Sequence, residues 1–226
     1  VTPYYDENGI TIYHGDMRHV VPELGEMFDL IVTDPPYFQP ATHYVPARGT
    51  TPIRTLGDTS VLELAFELWS TTLDRVLAAD GTAYVFCDGQ SYPIVYRTFY
   101  RLGLVRPLVW DKLTSYNGYT WRHQHELIAW VERPDAERVP TGDGDILQER
   151  AVPVDARRHP AEKPVGLMAR LMAKHGEGSV LDPFMGSGSS MEAARQVGSR
   201  YVGVEIEERY CEIAVQRLAQ GVLEFS

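Results

Sequence analysis

The sequence predicts an α/β protein built on a doubly wound, mostly parallel sheet. Three observations carry that expectation. Short apolar runs alternate with stretches of helical spacing along the chain. One run, Phe28-Asp29-Leu30-Ile31-Val32-Thr33, is dominated by apolar and β-branched residues without polar alternation, as a strand buried on both faces would be. Another, Gly178-Ser179-Val180-Leu181, passes through a glycine-rich turn into a helix, the junction at which open α/β sheets bind ligands.

Taken in order, Ile10 to Tyr13 reads as a short strand ending in His14-Gly15-Asp16, and Met17 to Leu24 as a brief helical turn. The Phe28–Thr33 strand follows. A loop from about 38 to 60 comes next, of a length that in compact domains belongs to function or disorder; a mobile segment on the catalytic side is expected. Val61 to Ala79 carries apolar residues at helical spacing, closed by Asp80-Gly81, and Thr82 to Cys87 reads as a buried strand. A helix around Ile94 to Leu102 precedes a strand from Val105 to Trp110. His125 to Val131 is a further strand, expected in an antiparallel edge hairpin. Residues 133–158 are polar, rich in Pro, Gly and Asp, and read as loop. Lys163-Pro164 opens a helix with proline at its first position, running to about Lys174. The remaining elements are a helix from Ser189 to Val197, a strand from Tyr201 to Val204 and a helix from about Glu208 to Leu218. No repeat or low-complexity tract interrupts them, so one domain over 1–226 is expected.

Composition narrows the class. The longest apolar runs are too short to span a bilayer, and no secretory leader is read; Val1 is expected to be a processed or trimmed terminus. The two cysteines, Cys87 and Cys211, fall inside predicted elements without metal-ligand spacing. A reducing, cytoplasmic setting with no disulfide and no metal is expected. The net charge of −10 argues against nonspecific coating of nucleic acid, but the charge is uneven. Between Arg97 and His125 the basic residues Arg97, Arg101, Arg106, Lys112 and Arg122 face Asp111 alone.

Two stretches carry chemistry. Asp34-Pro35-Pro36-Tyr37 follows the central strand, and its prolines end that strand because each lacks an N–H and Pro36 holds Pro35 out of the helical region. A carboxylate and an aromatic ring are thereby presented on a rigid turn. A plain alternative is a Pro-Pro turn with a capping Asp and a surface Tyr. The second stretch is Asp182-Pro183-Phe184-Met185-Gly186-Ser187-Gly188-Ser189-Ser190. Gly186 and Gly188 allow close backbone approach to a ligand, and the helix opening near Ser189 favours an anionic group. Glu205, at the end of the next strand, suits the hydroxyls of a ribose. Met191 stands where a dinucleotide fingerprint carries its third glycine, so a nucleoside without pyrophosphate fits better.

Together these stretches resemble the S-adenosylmethionine-dependent DNA amino-methyltransferases of the β class, in which the catalytic motif precedes the cofactor motif. Asp34-Pro35-Pro36-Tyr37 is similar to the catalytic motif and the 182–188 stretch to the cofactor motif. His159-Pro160-Ala161-Glu162-Lys163-Pro164 resembles the segment before the latter, Gly15-Asp16 the acid that meets the adenine amino group, Tyr201–Glu205 the ribose-binding strand end, and Arg122–Glu126 the edge-hairpin motif. The resemblance covers nearly the whole chain. It implies a Rossmann-like methyltransferase fold with a seven-stranded sheet, an antiparallel edge hairpin and circularly permuted motif order. It implies S-adenosylmethionine as cofactor (S-adenosylhomocysteine as product), held by Asp16, Lys163, Asp182, Phe184, Gly186, Ser187, Gly188, Ser189 and Glu205. Double-stranded DNA is the implied partner, with a possible homodimer and no membrane. The class usually inserts a target-recognition region between its halves; residues 133–158 are a small candidate, and 38–60 the other.

The implied reaction is methylation of the exocyclic amino group of a flipped-out base. Asp34 and the Pro35 carbonyl would accept the two amino hydrogens, drawing the nitrogen lone pair out of conjugation, while Tyr37 stacks on the base. In the family the chain resembles, an acid at the first motif position goes more often with adenine and serine with cytosine, so the resemblance implies adenine N6 over cytosine N4. Ring-carbon methylation needs a reactive thiolate, and both cysteines read as core. For DNA contact, Arg48, Arg54, Lys112, Tyr116 and Arg122 are the candidates; Trp110 as core and Arg97 and Arg101 as a solvated helix face is the competing view of the basic stretch. RNA or a protein glutamine as acceptor, a nicotinamide oxidoreductase and a non-catalytic DNA-binding module are the rivals. A restriction partner, a solitary role and phage self-protection all stay open.

Overall fold

The computed structural model describes residues 1–36, 59–114, 120–136 and 142–223. Its elements are β1 (Tyr5–Glu7), β2 (Ile10–His14), α1 (Met17–Val20), β3 (Phe28–Thr33), α2 (Thr59–Asp74), β4 (Leu77–Cys87), α3 (Tyr92–Phe99), β5 (Leu104–Asp111), β6 (His125–Glu132), β7 (Ile146–Gln148), α4 (Val165–Met172), β8 (Ser179–Asp182), α5 (Ser189–Val197), β9 (Arg200–Glu205) and α6 (Glu208–Leu223). Among the described residues, nine strands form one sheet in the order β1-β2-β9-β8-β3-β4-β6-β5-β7. The seven expected strands are there; β1 and β7 are additions of three residues each at the two edges.

The run β2-β9-β8-β3-β4 is parallel, and β6 lies antiparallel between β4 and β5. The hairpin partner expected at the edge is therefore interior, with β7 pairing parallel to β5 outside it. Both sides of β6 are used, which explains why Ile128, Ala129 and Val131 are all buried.

Helices cover both faces. On one side α1, α2 and α3 supply Met17, Leu62, Phe66 and Phe99 to a core beneath Ile31, Val85 and Val131. On the other, α4, α5 and α6 supply Leu167, Met191, Ala194 and Cys211 beneath Leu30, Val32 and Tyr201. Successive residues of β3 thus enter opposite cores, and the continuous apolar run has its cause.

Local boundaries differ from expectation in two places. The helix expected to reach Ala79 ends at Asp74, and Leu77 already pairs with Phe28 as β4 begins; the ladder then slips before Thr82 meets Leu30. Leu73 at the end of α2, Val76 in the turn and Leu77 at the start of β4 are spaced as in a helix, and all three are buried in the same core. Pro164 occupies the N-cap of α4 with extended backbone instead of its first turn.

The chain leaves β3 toward β4 on one side and leaves β8 toward β9 on the other, so the switch point of the sheet falls between the adjacent strands β3 and β8. Ile31 pairs with Leu181, and the two strands therefore end side by side, delivering Asp34 and Asp182 to one edge. A crevice is expected there on topological grounds alone.

Candidate active site

A cleft of about 650 Å³ occupies that edge. Asp34, Pro35 and Pro36 line one end; Gly186, Ser187 and Glu205 line the other, with Asp16 close by. Tyr37 lies outside the described residues, as do Arg48, Arg54 and Tyr116.

The Asp34 end is built from charges. Its Oδ2 accepts a hydrogen bond from the Lys163 ammonium at 2.5 Å, while Oδ1 is buried with no partner among the described residues. Lys163, only 5% exposed, also lies 3.4 Å from Oε2 of Glu126 on β6. The other oxygen of Glu126 accepts from Lys112 at 2.5 Å. Phe86 and Trp110 flank the network, each ring centre 5.2 Å from an ammonium. Burial pushes the Asp34 carboxyl above the usual carboxylate range, against the pull of Lys163. Burial alone would also raise Glu126, but Lys163 and Lys112 together hold it below its ordinary value. Lys163 stays charged because two carboxylates outweigh its desolvation.

Two of the expected site residues are engaged in this network. Lys163, expected at the cofactor, lines the cleft and pairs with both Asp34 and Glu126. Lys112, expected on DNA phosphates, is tucked against Glu126 with its side chain 15% exposed. Arg122 does lie at the surface, beside Trp121. Arg97 and Arg101 pair with Glu63 and Glu67 of α2, and Trp110 is core, so that stretch is largely a solvated helix face and an interior strand.

The other end is built from backbone. Gly186 and Gly188 adopt φ of +55° and +82°, the left-handed region that L side chains avoid. A β-carbon on Gly188 would lie 3.0 Å from Ala214 Cβ and Met191 Cε, so the turn also sits hard against α6 and its own helix. Asp182 organises the turn: Oδ1 accepts from Phe184 N at 3.0 Å and Oδ2 from Ser190 Oγ at 2.5 Å, with Tyr201 continuing the chain at 2.8 Å. Burial raises its carboxyl to about 7. Glu205 accepts from Gly186 N and Glu207 N, both at 2.8 Å, which ties the end of β9 to the turn. Asp16 caps α1 by accepting from Arg18 N at 2.9 Å, and the Arg18 guanidinium beside it keeps its carboxyl low. Ser189 presents a buried hydroxyl without a partner among the described residues.

Several residues at the cleft carry no chemistry that the sequence marked. Trp69 of α2 meets Phe184 edge to face at 5.0 Å. His159 meets Tyr210 at 4.4 Å, and burial drops its imidazole to about 4, leaving it neutral at pH 7. Arg217 of α6 donates to Glu162 at 3.0 Å and to the Ser187 carbonyl at 3.4 Å, fastening the 158–162 segment to the turn. Cys87 and Cys211 are buried, and burial raises both thiols, Cys211 to about 12, so neither offers a thiolate. No helix of the described residues is long and apolar enough to cross a membrane.

Comparison with known proteins agrees with this geometry. The type II methyltransferase M2.DpnII of Streptococcus pneumoniae is 26% identical over 96% of this chain and 92% of its own. M.ScaI of Streptomyces caespitosus is 26% identical over 96% and 83%. A crystal structure of the M1.HpyAVI–SAM complex superposes with a TM-score of 0.69 at 21% identity, covering 92% of this chain and 99% of that one. The cytosine-N4-specific PvuII DNA methyltransferase superposes at 0.75 with 14% identity, covering 94% and 87%. The family model of N6/N4 DNA methylases matches residues 28–216, a span that begins at β3 and ends in α6, and the chain belongs to that family.

Proposed function

We propose that this DNA methyltransferase moves a methyl group from S-adenosylmethionine to N6 of an adenine extruded from double-stranded DNA. The observation that carries the reading is that Asp34, whose Oδ1 has no partner among the described residues, lines the same cleft as Gly186, Ser187 and Ser189.

The cleft suits the cofactor on several counts. Glycines at 186 and 188 leave the turn without β-carbons, Ser189 Oγ awaits a partner, and Glu205 retains acceptor capacity for a ribose beside its two backbone bonds. Asp16 lines the cleft and can share an oxygen between Arg18 and an amino group, and the Trp69–Phe184 and His159–Tyr210 pairs supply apolar walls. When bound, S-adenosylmethionine supplies a methyl group on a sulfonium centre. The start of α5 favours a carboxylate over a second cation.

The protein's own work lies at the other end. An exocyclic amine is a poor nucleophile because its lone pair is delocalised into the ring. Asp34 Oδ1 accepts one amino hydrogen and the carbonyl of Pro35 accepts the other, which favours a more tetrahedral nitrogen directed at the methyl group. Proline fixes that carbonyl in advance, so little reorganisation accompanies the reaction. The amine attacks neutral and releases its proton afterwards to Asp34. Reaching the cleft requires extrusion of the base, since Asp34 cannot enter a stacked duplex. Tyr37 is assigned the stacking face, and the exposed Arg122 a phosphate contact along with Arg48 and Arg54. Residues 133–158 serve as the target-reading region.

The preference for adenine rests on the acid at the first catalytic position. Incubation with labelled cofactor and unmethylated duplex DNA, followed by digestion to nucleosides, tests it. N6-methyladenine is the expected product; N4-methylcytosine would reassign the base, and label only in RNA or protein would reassign the acceptor.

A further inference from the structure

Four charged side chains from four separate segments meet behind the catalytic turn, alternating in sign: Asp34, Lys163, Glu126 and Lys112. Such a cluster is a poor stabilising device. Desolvating ions costs several kcal/mol each, roughly what their attraction returns, and apolar packing would serve the fold as well. Its position suggests a different use. Lys163 consumes Oδ2 of Asp34 and leaves Oδ1, buried at the cleft wall, as the oxygen without a partner among the described residues. An ammonium paired with Asp34 alone would place its whole field on that carboxylate and make it a weak acceptor. A second carboxylate, Glu126, divides the ammonium between two partners, and Lys112 neutralises Glu126 in turn.

We propose that Glu126 and Lys112 are positioning residues for methyl transfer, seating Lys163 so that it fixes Asp34 in one orientation without quenching its acceptor strength. Neither touches the base or the cofactor; both act through Lys163. The inference rests on the functional reading above. Among the described residues, the titratable groups that act on Asp34 are Lys163 from the turn before α4, Glu126 from β6 and Lys112 beyond β5. Asp182 at the end of β8 and Cys87 at the end of β4 also sense its charge, and His159 senses Lys163. Glu126 and Lys112 bear on Asp34 with opposite sign, and that opposition is the signature to seek.

The test is the pH profile of kcat for the full chain, with S-adenosylmethionine and unmethylated duplex DNA, in wild type, E126Q and K112M. Both variants are expected to lose roughly tenfold in kcat, with KM for the cofactor changed by less than about twofold. The acid limb should move to lower pH in E126Q, where a negative charge beside Asp34 is lost, and to higher pH in K112M. E126D and K112R should restore the limb. Should a single variant fail to fold, the double variant E126Q/K112M removes the pair as a neutral unit; its limb should return to within about half a pH unit of wild type while kcat stays roughly tenfold low. Shifts in the same direction, or a double variant with wild-type kcat, overturn the proposal. A wild-type chain that methylates no DNA overturns the functional reading, and this inference with it, and is recognised before any variant is made.

Discussion

The two ends of the cleft solve opposite problems by opposite means. At the Asp34 end, side chains make the site: a carboxylate, two ammonium groups and a second carboxylate converge from residues 34, 112, 126 and 163. At the glycine end the backbone does it: two left-handed glycines, the start of α5, and acids whose oxygens mostly serve to hold the turn. The difference teaches where tolerance lies. Side-chain chemistry can be changed with the backbone left in place, at the cost of a buried charge losing a partner, whereas backbone chemistry cannot be altered without straining the turn that supplies it.

Breaking the catalytic end should therefore separate reaction from binding. D34A is expected to lower kcat by about 10²–10³-fold, the usual loss of a preorganised acceptor, with binding of S-adenosylhomocysteine unchanged by calorimetry. Breaking the glycine end should not separate them. G188A forces a β-carbon onto a φ of +82° and into contacts of 3.0 Å. It should cost at least 1–2 kcal/mol in chemical denaturation and weaken cofactor binding in the same variant. G186A meets only the His159 ring at 3.6 Å and should be the milder of the two in stability.

Asp182 sharpens the contrast through pH. Its folded value, about 7, lies above the ordinary carboxylate value of 3.8. Its contribution to stability is thus fully present below the ordinary value and lost as pH rises through 7, the reverse of a salt-bridged acid. D182N keeps an acceptor for Phe184 N and can donate to Ser190. The thermal midpoint of D182N relative to wild type should accordingly rise between pH 5 and pH 8, by a few degrees; a constant difference would show that Asp182 is ionised throughout. The smallest effect is expected for F184L, which keeps bulk but loses the edge contact with Trp69, worth about 0.5–1.5 kcal/mol, and should raise KM for the cofactor only a few-fold.

Local signals made much of this legible. The prolines after Thr33 and the glycines at 186 and 188 are punctuation that tertiary structure seldom overrides, and α5 spans Ser189–Val197 as its spacing predicts. The three-residue strands β1 and β7 carry too few residues for a period to show. Leu73, Val76 and Leu77 fit a helix and a turn into a strand equally well, so the end of α2 was ambiguous from spacing alone. Least legible was partnership across the chain. Lys163 reaches Asp34 over 129 residues, and Lys112 looks like any basic residue near a loop until Glu126 is seen beside it. Its place near the active edge marks Lys112 as a DNA contact, while the Glu126 carboxylate it pairs with lies on β6, next to β5.

A crystal structure with S-adenosylhomocysteine bound tests most directly whether one cleft holds both donor and acceptor. The ligand should lie along Gly186 and Gly188 with its ribose at Glu205 and its sulfur turned toward Oδ1 of Asp34. Density away from that turn, or a sulfur facing away from Asp34, would contradict the account.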